Sequence, residues 1–267
     1  MAELPGKPRM EVNAMAGRDA IVDFCDRLLE AGLYQDVGVN GLQVEGVPEV
    51  ERIAVAVSTS RRTLEAAAQW GADALLVHHG LLWGGRLAPL TGLFAERLRL
   101  LFQHNMSLIA YHLPLDGHPE IGNCALLAGA AGYSVTGRFA EAGGRPLGII
   151  GERGPGMSLE MLVETLEAEL DHAPLVVGSI DDSPLSRVGF LTGSGYSAVA
   201  EALQTGCQAL VTGDIREPTM SEARELGITV IAAGHEATER FGVMALAAAI
   251  EREFSIETRF LPDPNPV

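Results

Sequence analysis

Cysteine and positive charge are both scarce in this sequence. Its only cysteines are Cys25, Cys124 and Cys207, and no two of them form a C-x-x-C pair. The spacing therefore offers neither a disulfide framework nor a thiolate zinc site. Against 35 Asp and Glu residues stand 19 Lys and Arg residues, a formal net charge of −16. General nucleic-acid binding is not expected, because it depends on basic side chains that neutralise phosphates.

Long apolar runs are also missing. The start of the chain has no hydrophobic segment of the export-signal type, and the apolar runs elsewhere are too short to cross a bilayer. We therefore expect a cytoplasmic protein with no membrane segment. Apolar residues make up 47% of the 267 residues and charged residues 20%, as in a globular chain with a sizeable core. This length is sufficient for two modest domains.

Short apolar strands alternate with helical patterns, which indicates an α/β fold. The predicted helices cover residues 21–29, 63–70, 92–103 and 158–170, and the predicted strands cover residues 53–57, 74–77, 107–111, 147–150 and 175–178. Residues 37–46 are predicted to form a glycine-punctuated turn. Residues 1–17 show no periodicity and are interpreted as a loose N-terminal extension.

Two stretches of the chain share this organisation. Residues 52–79 align without a gap with residues 187–214, and further along His112 meets His235 while Asp116 meets Glu239. Each half thus has a histidine followed by a carboxylate four residues later. Any two strand-helix-strand units align tolerably, which is the alternative explanation. Because the polar ends also match, we interpret the pattern as an internal repeat of two α/β units.

Histidines and carboxylates collect at the predicted ends of strands and helices. The chain has only seven histidines, and four of them lie at such ends, where open α/β sheets usually hold their sites. We predict a pair of divalent metal ions with five ligands, namely His78, His79, Asp116, His235 and Glu239. Each pair considered singly has an alternative explanation as a surface loop, a buried hydrogen-bonded pair, a solvated helix face or a cap.

Other polar residues nearby are candidates for further roles at this site. Pro114 argues against a regular helix between His112 and Asp116. His112 is a candidate ligand, orienting group or proton shuttle. Asp214 and Glu217 are further candidates, with a solvated loop as the alternative. Imidazole and carboxylate ligands suit Zn²⁺, Fe²⁺ or Mn²⁺ equally well.

Several sequence blocks in a fixed order resemble one known family. The blocks are residues 40–46 (NGLQVEG), residues 71–80 (GADALLVHHG), residues 112–116 (HLPLD) with Gly122-Asn123, residues 212–214 (TGD) and residues 234–239 (GHEATE). They are similar to the YbgI-like (Nif-three-like) dinuclear-metal proteins, labelled type 2 homologues of GTP cyclohydrolase I. The sequence departs from close relatives at Asp214, Arg216 and Glu236, which affects the surroundings of the ligands rather than the ligands.

The resemblance implies the same five metal ligands, with His112 as a near neighbour. It also implies two related α/β domains, the second inserted into the first: residues 18–130 plus 235–267 form the metal-binding domain and residues 131–234 the inserted one. A ring-shaped homohexamer is implied as well.

We therefore expect a metal-dependent hydrolase that uses metal-bound hydroxide on a small molecule, such as a nucleotide or another cyclic C–N substrate. The alternative is a non-catalytic metal-binding, metal-delivery or scaffold hexamer. The sequence contains no Walker loop and no G-x-S-x-G elbow.

Overall fold

The computed structural model describes residues 14–84, 89–179 and 183–265. The strands are β1 (Ala16–Gly17), β2 (Gly41–Val44), β3 (Glu49–Val50), β4 (Arg52–Ser58), β5 (Ala74–His79), β6 (Ser107–Ala110), β7 (Ser134–Ala142), β8 (Arg145–Met157), β9 (Leu175–Gly178), β10 (Leu185–Leu191), β11 (Ala209–Thr212), β12 (Thr229–Ala232) and β13 (Glu257–Phe260). The helices are α1 (Arg18–Leu28), α2 (Arg61–Trp70), α3 (Gly92–Gln103), α4 (Leu113–Gly117), α5 (Asn123–Ala130), α6 (Leu159–Leu170), α7 (Val199–Gln204), α8 (Glu217–Leu226), α9 (His235–Thr238) and α10 (Arg240–Phe254).

A five-stranded sheet has the order β13-β4-β5-β6-β2, with only β2 antiparallel to its neighbour. Successive side chains of a strand point to opposite faces of the sheet. Accordingly, Ile53 and Val55 of β4 pack in a core with α1 and α10, whereas Ala54 and Ala56 pack in a core with α2 and α3. Helices therefore cover both faces, which explains why the central parallel strands β4, β5 and β6 are apolar over most of their length.

A six-stranded sheet has the order β7-β8-β10-β11-β12-β9, and its β10, β11 and β12 are parallel. Its two faces also pack in separate cores. Val211 lies in a core with Leu162 of α6, whereas Leu210 lies in a core with Val199 of α7. The α/β class predicted from the sequence is confirmed.

The chain leaves the five-stranded sheet after β6, forms the six-stranded sheet, and returns through α10 and β13. Val188 of β10 pairs with Ala209 of β11, at positions equivalent to the pairing of Ile53 with Ala74. An internal repeat would require equivalent residues of the two sheets to pair in this way. The repeat and the domain boundaries stay predictions. None of the helices in the described parts of the chain is long and apolar enough to cross a membrane.

Three local predictions are wrong. The predicted turn over residues 37–46 contains β2, whose strand character comes from pairing with the distant β6. The loose N-terminal extension predicted over residues 1–17 does not include Ala16–Gly17, which pairs with β3 and in which Ala16 is buried; residues 1–13 lie outside the described residues. Pro114 is compatible with α4, since it occupies the first turn, where its missing N–H would have no helical partner.

Candidate metal centre

The five predicted ligands meet at one edge of the five-stranded sheet. His78 and His79 end β5, and Asp116 lies in α4, which follows the neighbouring strand β6. His235 begins α9, directly after the last parallel strand of the six-stranded sheet, and Glu239 follows α9. Within each sheet the carboxyl ends of the parallel strands share an edge, and the contacts of Glu239 with His78 and His79 show that segments from both sheets converge here.

The five side chains form two groups that share Glu239. In the first group, His78 Nε2 lies 3.5 Å from Asp116 Oδ1 and 3.6 Å from Glu239 Oε1. In the second group, His79 Nε2 and His235 Nε2 each lie 3.3 Å from Glu239 Oε2. Two ligands with bonds of ~2.0–2.1 Å to a tetrahedral ion are about 3.3 Å apart. Both groups therefore have the spacing of ligands around a common cation, and Glu239 offers one oxygen to each.

The outer nitrogens of the three imidazoles have partners that fix the rings. Nδ1 of His78 lies 2.9 Å from the carbonyl oxygen of Tyr111, and Nδ1 of His235 lies 2.8 Å from Asp214 Oδ2. Nδ1 of His79 lies 3.1 Å from Ser58 Oγ. A ring that donates from Nδ1 to an oxygen presents the lone pair of Nε2, which is the arrangement of metal-binding histidines.

Two buried atoms in the cluster have no hydrogen-bond partner in the described residues: His78 Nε2 and Glu239 Oε2. A buried polar atom without a partner costs about 1–3 kcal/mol. Cations in the two groups would satisfy both atoms. Imidazole and carboxylate donors without a thiolate suit Zn²⁺, Fe²⁺ or Mn²⁺, so the residues fit a pair of divalent ions.

Comparison with known proteins identifies the family of this chain. The family model for Duf34/NIF3 (NGG1p interacting factor 3) matches residues 16–266. The chain belongs to the Duf34/NIF3 family. This confirms the resemblance inferred from the sequence blocks.

Relatives and solved structures match the Duf34/NIF3 chain over nearly its whole length. A "GTP cyclohydrolase 1 type 2 homolog" from Deinococcus radiodurans is 43% identical over 250 residues, covering 93% of this chain and 94% of the relative. Its namesake from Pseudomonas aeruginosa is 40% identical over 246 residues, covering 92% and 97%. The solved structure of protein ybgI, described as of unknown function, has a TM-score of 0.89 at 35% identity and covers 94% of this chain and 100% of that one.

His112 lies beside both groups of this Duf34/NIF3 chain. One of its ring nitrogens is within 4.8 Å of ring nitrogens of His78 and His79, and its Nδ1 lies 2.9 Å from Asp36 Oδ1. Asp36 also accepts hydrogen bonds from the Gly38 and Leu113 N–H groups, both at 2.9 Å. The structure therefore places His112 next to the predicted ligands, with its ring held by a buried carboxylate.

Asp214 and Glu217, the two further candidates, lie in different surroundings. Besides its contact with His235, Asp214 accepts a hydrogen bond of 3.0 Å from Ser194 Oγ. Glu217 begins α8 and is exposed. Glu217 belongs to neither of the two groups that share Glu239. Of these two candidates, only Asp214 therefore contacts a predicted ligand.

Gly193 allows the chain after β10 to approach the cluster closely. Its φ of +62° lies in the left-handed region, which glycine adopts without steric cost. A Cβ atom there would collide with the Glu239 carboxylate and lie 3.3 Å from His235 Nε2. This glycine is therefore required both by its backbone conformation and by the space that the ligands occupy.

Charges within the cluster shift several pKa values. Burial by itself lowers the pKa of His78, but the charges of Asp116 and Glu239 outweigh burial and raise that pKa to about 9. At His79 burial dominates and lowers the pKa to about 3. The pKa of Glu239 is well below its ordinary value, because the neighbouring histidines outweigh the effect of burial. Without ions the cluster holds protons that cations would replace, which is usual for imidazole ligands.

A pocket of ≈ 480 Å³ opens onto the cluster. Residues from both sheets line it, including His79, His112 and His235 at the cluster and Leu147, Ser194 and Glu201 elsewhere. A pocket of this size is sufficient for a small molecule. The cluster is therefore accessible to a ligand as well as to ions.

Three residues around the cluster were not identified from the sequence as parts of the site. Asn123 donates to Asp116 Oδ1 at 2.8 Å, and Thr192 Oγ1 donates to the same oxygen at 3.3 Å. Asp36 holds His112, as described above. Asn123 belongs to one of the sequence blocks that resemble the family, and Asp36 precedes another. The sequence therefore indicated both residues weakly. Nothing in the sequence distinguished Thr192.

We predict that Asp36→Asn lowers the free energy of unfolding by about 1–3 kcal/mol, because an amide cannot accept hydrogen bonds at both ends. Burial raises the pKa of Asp36, but hydrogen bonds from His112 and the Gly38 N–H outweigh it, so this pKa is lowered on folding. Such a carboxyl stabilises the fold above its unfolded pKa of about 3.9, and the stabilisation is lost as the pH falls further. The difference in the free energy of unfolding between wild type and Asp36→Asn should thus have its full size at pH 7 and shrink below about pH 4.

Urea unfolding across this pH range, in the presence of a chelator, measures the effect. The control is Asp23→Asn, at an exposed residue of α1, which should change stability by no more than about 0.5 kcal/mol. Equal effects of the two substitutions at pH 7 would contradict the prediction.

Proposed function

We propose that the chain binds two divalent metal ions at two positions bridged by Glu239. The inner position has His78, Asp116 and Glu239 as ligands, and the outer position has His79, His235 and Glu239. The observation that carries this proposal is the buried Glu239 carboxylate, whose two oxygens face different groups of donors at 3.3–3.6 Å. The buried atoms that lack hydrogen-bond partners support it further.

We propose further that this centre hydrolyses a small molecule. A pair of such ions, when bound, activates water at neutral pH and polarises the electrophile. The pocket at the cluster gives a substrate access, and His112 lines that pocket with its ring 20% exposed. Held by Asp36, His112 is placed to orient the substrate or to transfer a proton. The names of the relatives favour a nucleotide or another cyclic C–N substrate.

A second candidate function is metal binding or delivery without catalysis. The side chains of His79 and His235 are 22% and 28% exposed, whereas His78 is fully buried. An ion at the outer position would therefore have a route to solvent and to a recipient protein. Turnover that depends on the bound metal separates the two functions, since delivery predicts transfer of the ion and no hydrolysis.

We expect Glu239→Ala to lose at least one of two ions per chain, because both positions would lose an oxygen ligand. Elemental analysis of protein purified without chelator measures the ion content. The control is His104→Ala, which removes an exposed histidine outside the cluster and should retain both ions. Circular dichroism checks that each variant is folded. Retention of both ions by a folded Glu239→Ala variant would contradict the bridging role.

The same two variants, compared with wild type, test hydrolysis. Wild type and His104→Ala, loaded with Mn²⁺, Fe²⁺ or Zn²⁺, should hydrolyse a substrate found by screening nucleotides and cyclic amides, and Glu239→Ala should not. Two bound ions without turnover in any such screen, together with transfer of an ion to a competing protein, would favour the delivery function.

We expect Asp214→Ala to weaken metal binding at the outer position by about 10–100-fold, because His235 loses the group that orients its ring. The inner position should keep its affinity. Titration with Co²⁺ against a competing chelator resolves the two binding steps. Glu217→Ala, at an exposed residue nearby, is the matched control and should bind like wild type. Equal weakening of both steps would contradict the assignment of Asp214 to the outer position.

We also propose that the chain assembles into a homohexamer, as the family resemblance implies. Helix α3 leaves Leu93 68% exposed and Phe102 63% exposed, and an assembly would cover such apolar side chains. Light scattering after size exclusion should give about six times the 28.2 kDa mass of one chain. A mass equal to one chain at micromolar concentration would contradict this proposal.

A further inference from the structure

One part of the pocket wall carries uncompensated negative charge. Glu141, near the end of β7, and Glu201, on α7, both line the pocket that opens onto the cluster. In the described parts of the chain, neither carboxylate forms an ion pair. No Lys or Arg occurs among the described residues that line this pocket. Outside the ligand cluster, the charged residues among the described residues of this pocket are therefore Glu141 and Glu201, and both are acidic.

The carboxylate of Glu201 is held in place. Its Oε1 accepts a hydrogen bond of 2.7 Å from the backbone N–H of Ala140. Ala140 itself has a left-handed φ of +56°, which is uncommon for a residue with a Cβ atom. The hydrogen bond ties α7 to the backbone of β7 at the residue before Glu141, so the Glu201 carboxylate is held at this part of the pocket wall.

Trp83 provides an apolar surface close to the cluster. Its indole Nε1 donates a hydrogen bond of 2.9 Å to the carbonyl oxygen of Gly80, although the residue is 40% exposed. The indole packs edge-on against His112, with ring centroids 5.0 Å apart and an interplanar angle of 77°. A ring fixed in this way can pack against a planar or apolar part of a ligand.

We propose that this pocket selects a substrate whose portion remote from the metal ions is neutral or positively charged, and that it rejects substrates with a polyphosphate tail. The inference rests on the proposed function, because the ions are taken to bind the reacting group. The two carboxylates then attract an ammonium or hydrogen-bond donors on the remaining part and repel phosphate. The relatives' names mention GTP, whose triphosphate would have to avoid Glu141 and Glu201.

The test uses three alkyl hydroxamates of equal length, because a hydroxamate group binds such metal ions directly. Their far ends are an ammonium, a methyl and a phosphonate group. Calorimetry on the Mn²⁺-loaded wild type should give about tenfold tighter binding for the ammonium than for the phosphonate compound, with the methyl compound between them. Added salt should reduce this ratio, since the effect is electrostatic.

Matched variants assign the effect to the pocket wall. In the double variant Glu141→Gln/Glu201→Gln, the amide introduced on α7 would keep an oxygen for the Ala140 N–H, and the tenfold ratio should fall to about twofold or less. The control is Glu160→Gln/Glu164→Gln, which removes the same charge from exposed positions on α6 and should keep the wild-type ratio.

The outcomes separate this inference from the proposed function. Phosphonate binding as tight as ammonium binding in the wild type, or an unchanged ratio in the pocket variant, would overturn the inference while leaving the metal centre in place. Absence of metal-dependent binding by all three compounds would overturn the proposed function itself, and with it the inference.

Discussion

The centre of this protein depends on a carboxylate that is almost completely removed from water. Glu239 is 3% exposed, and an ionised carboxylate in such a place is unfavourable unless positive charge or hydrogen-bond donors surround it. The Nε2 atoms of three histidines lie within 3.6 Å of its oxygens. The pKa values of His78 and His235 are raised to about 9, so their protons compensate the charge when no ion is present, and divalent cations would do so more strongly. The surrounding structure is arranged to keep this group in position.

Contributions from both sheets meet at Glu239. The five-stranded sheet provides His78 and His79, whereas the turn after β10 of the six-stranded sheet brings Gly193 against the carboxylate. A rigid sheet on each side fixes these chain segments, and buried hydrogen bonds then fix the individual side chains. Asn123 illustrates the last step, since it donates to Asp116 and accepts from the Gly242 N–H of α10. The geometry of the centre is thus a property of the two sheets together.

The same convergence produces the pocket. Near the ligands its wall includes His79 and His112 from β5 and the segment after β6 of the five-stranded sheet, and Gly193 and His235 from segments that follow strands of the six-stranded sheet, whereas Glu141 and Glu201 line it farther away. Asp214 contacts His235 at this convergence, and Glu236 forms an ion pair with Arg240.

The sequence by itself determined the α/β class, the main strands and helices, and the set of histidines and carboxylates at one sheet edge, because apolar periodicity and strand ends are local properties of a chain. It did not reveal β2, the role of Thr192, or the contacts of Asp36 with His112. Each of these depends on a partner far away in the sequence, such as β6 for β2 and Asp116 for Thr192. Tertiary structure alone decided that Glu239 faces two groups of donors, since those donors come from β5, α4 and α9, which are far apart in the sequence.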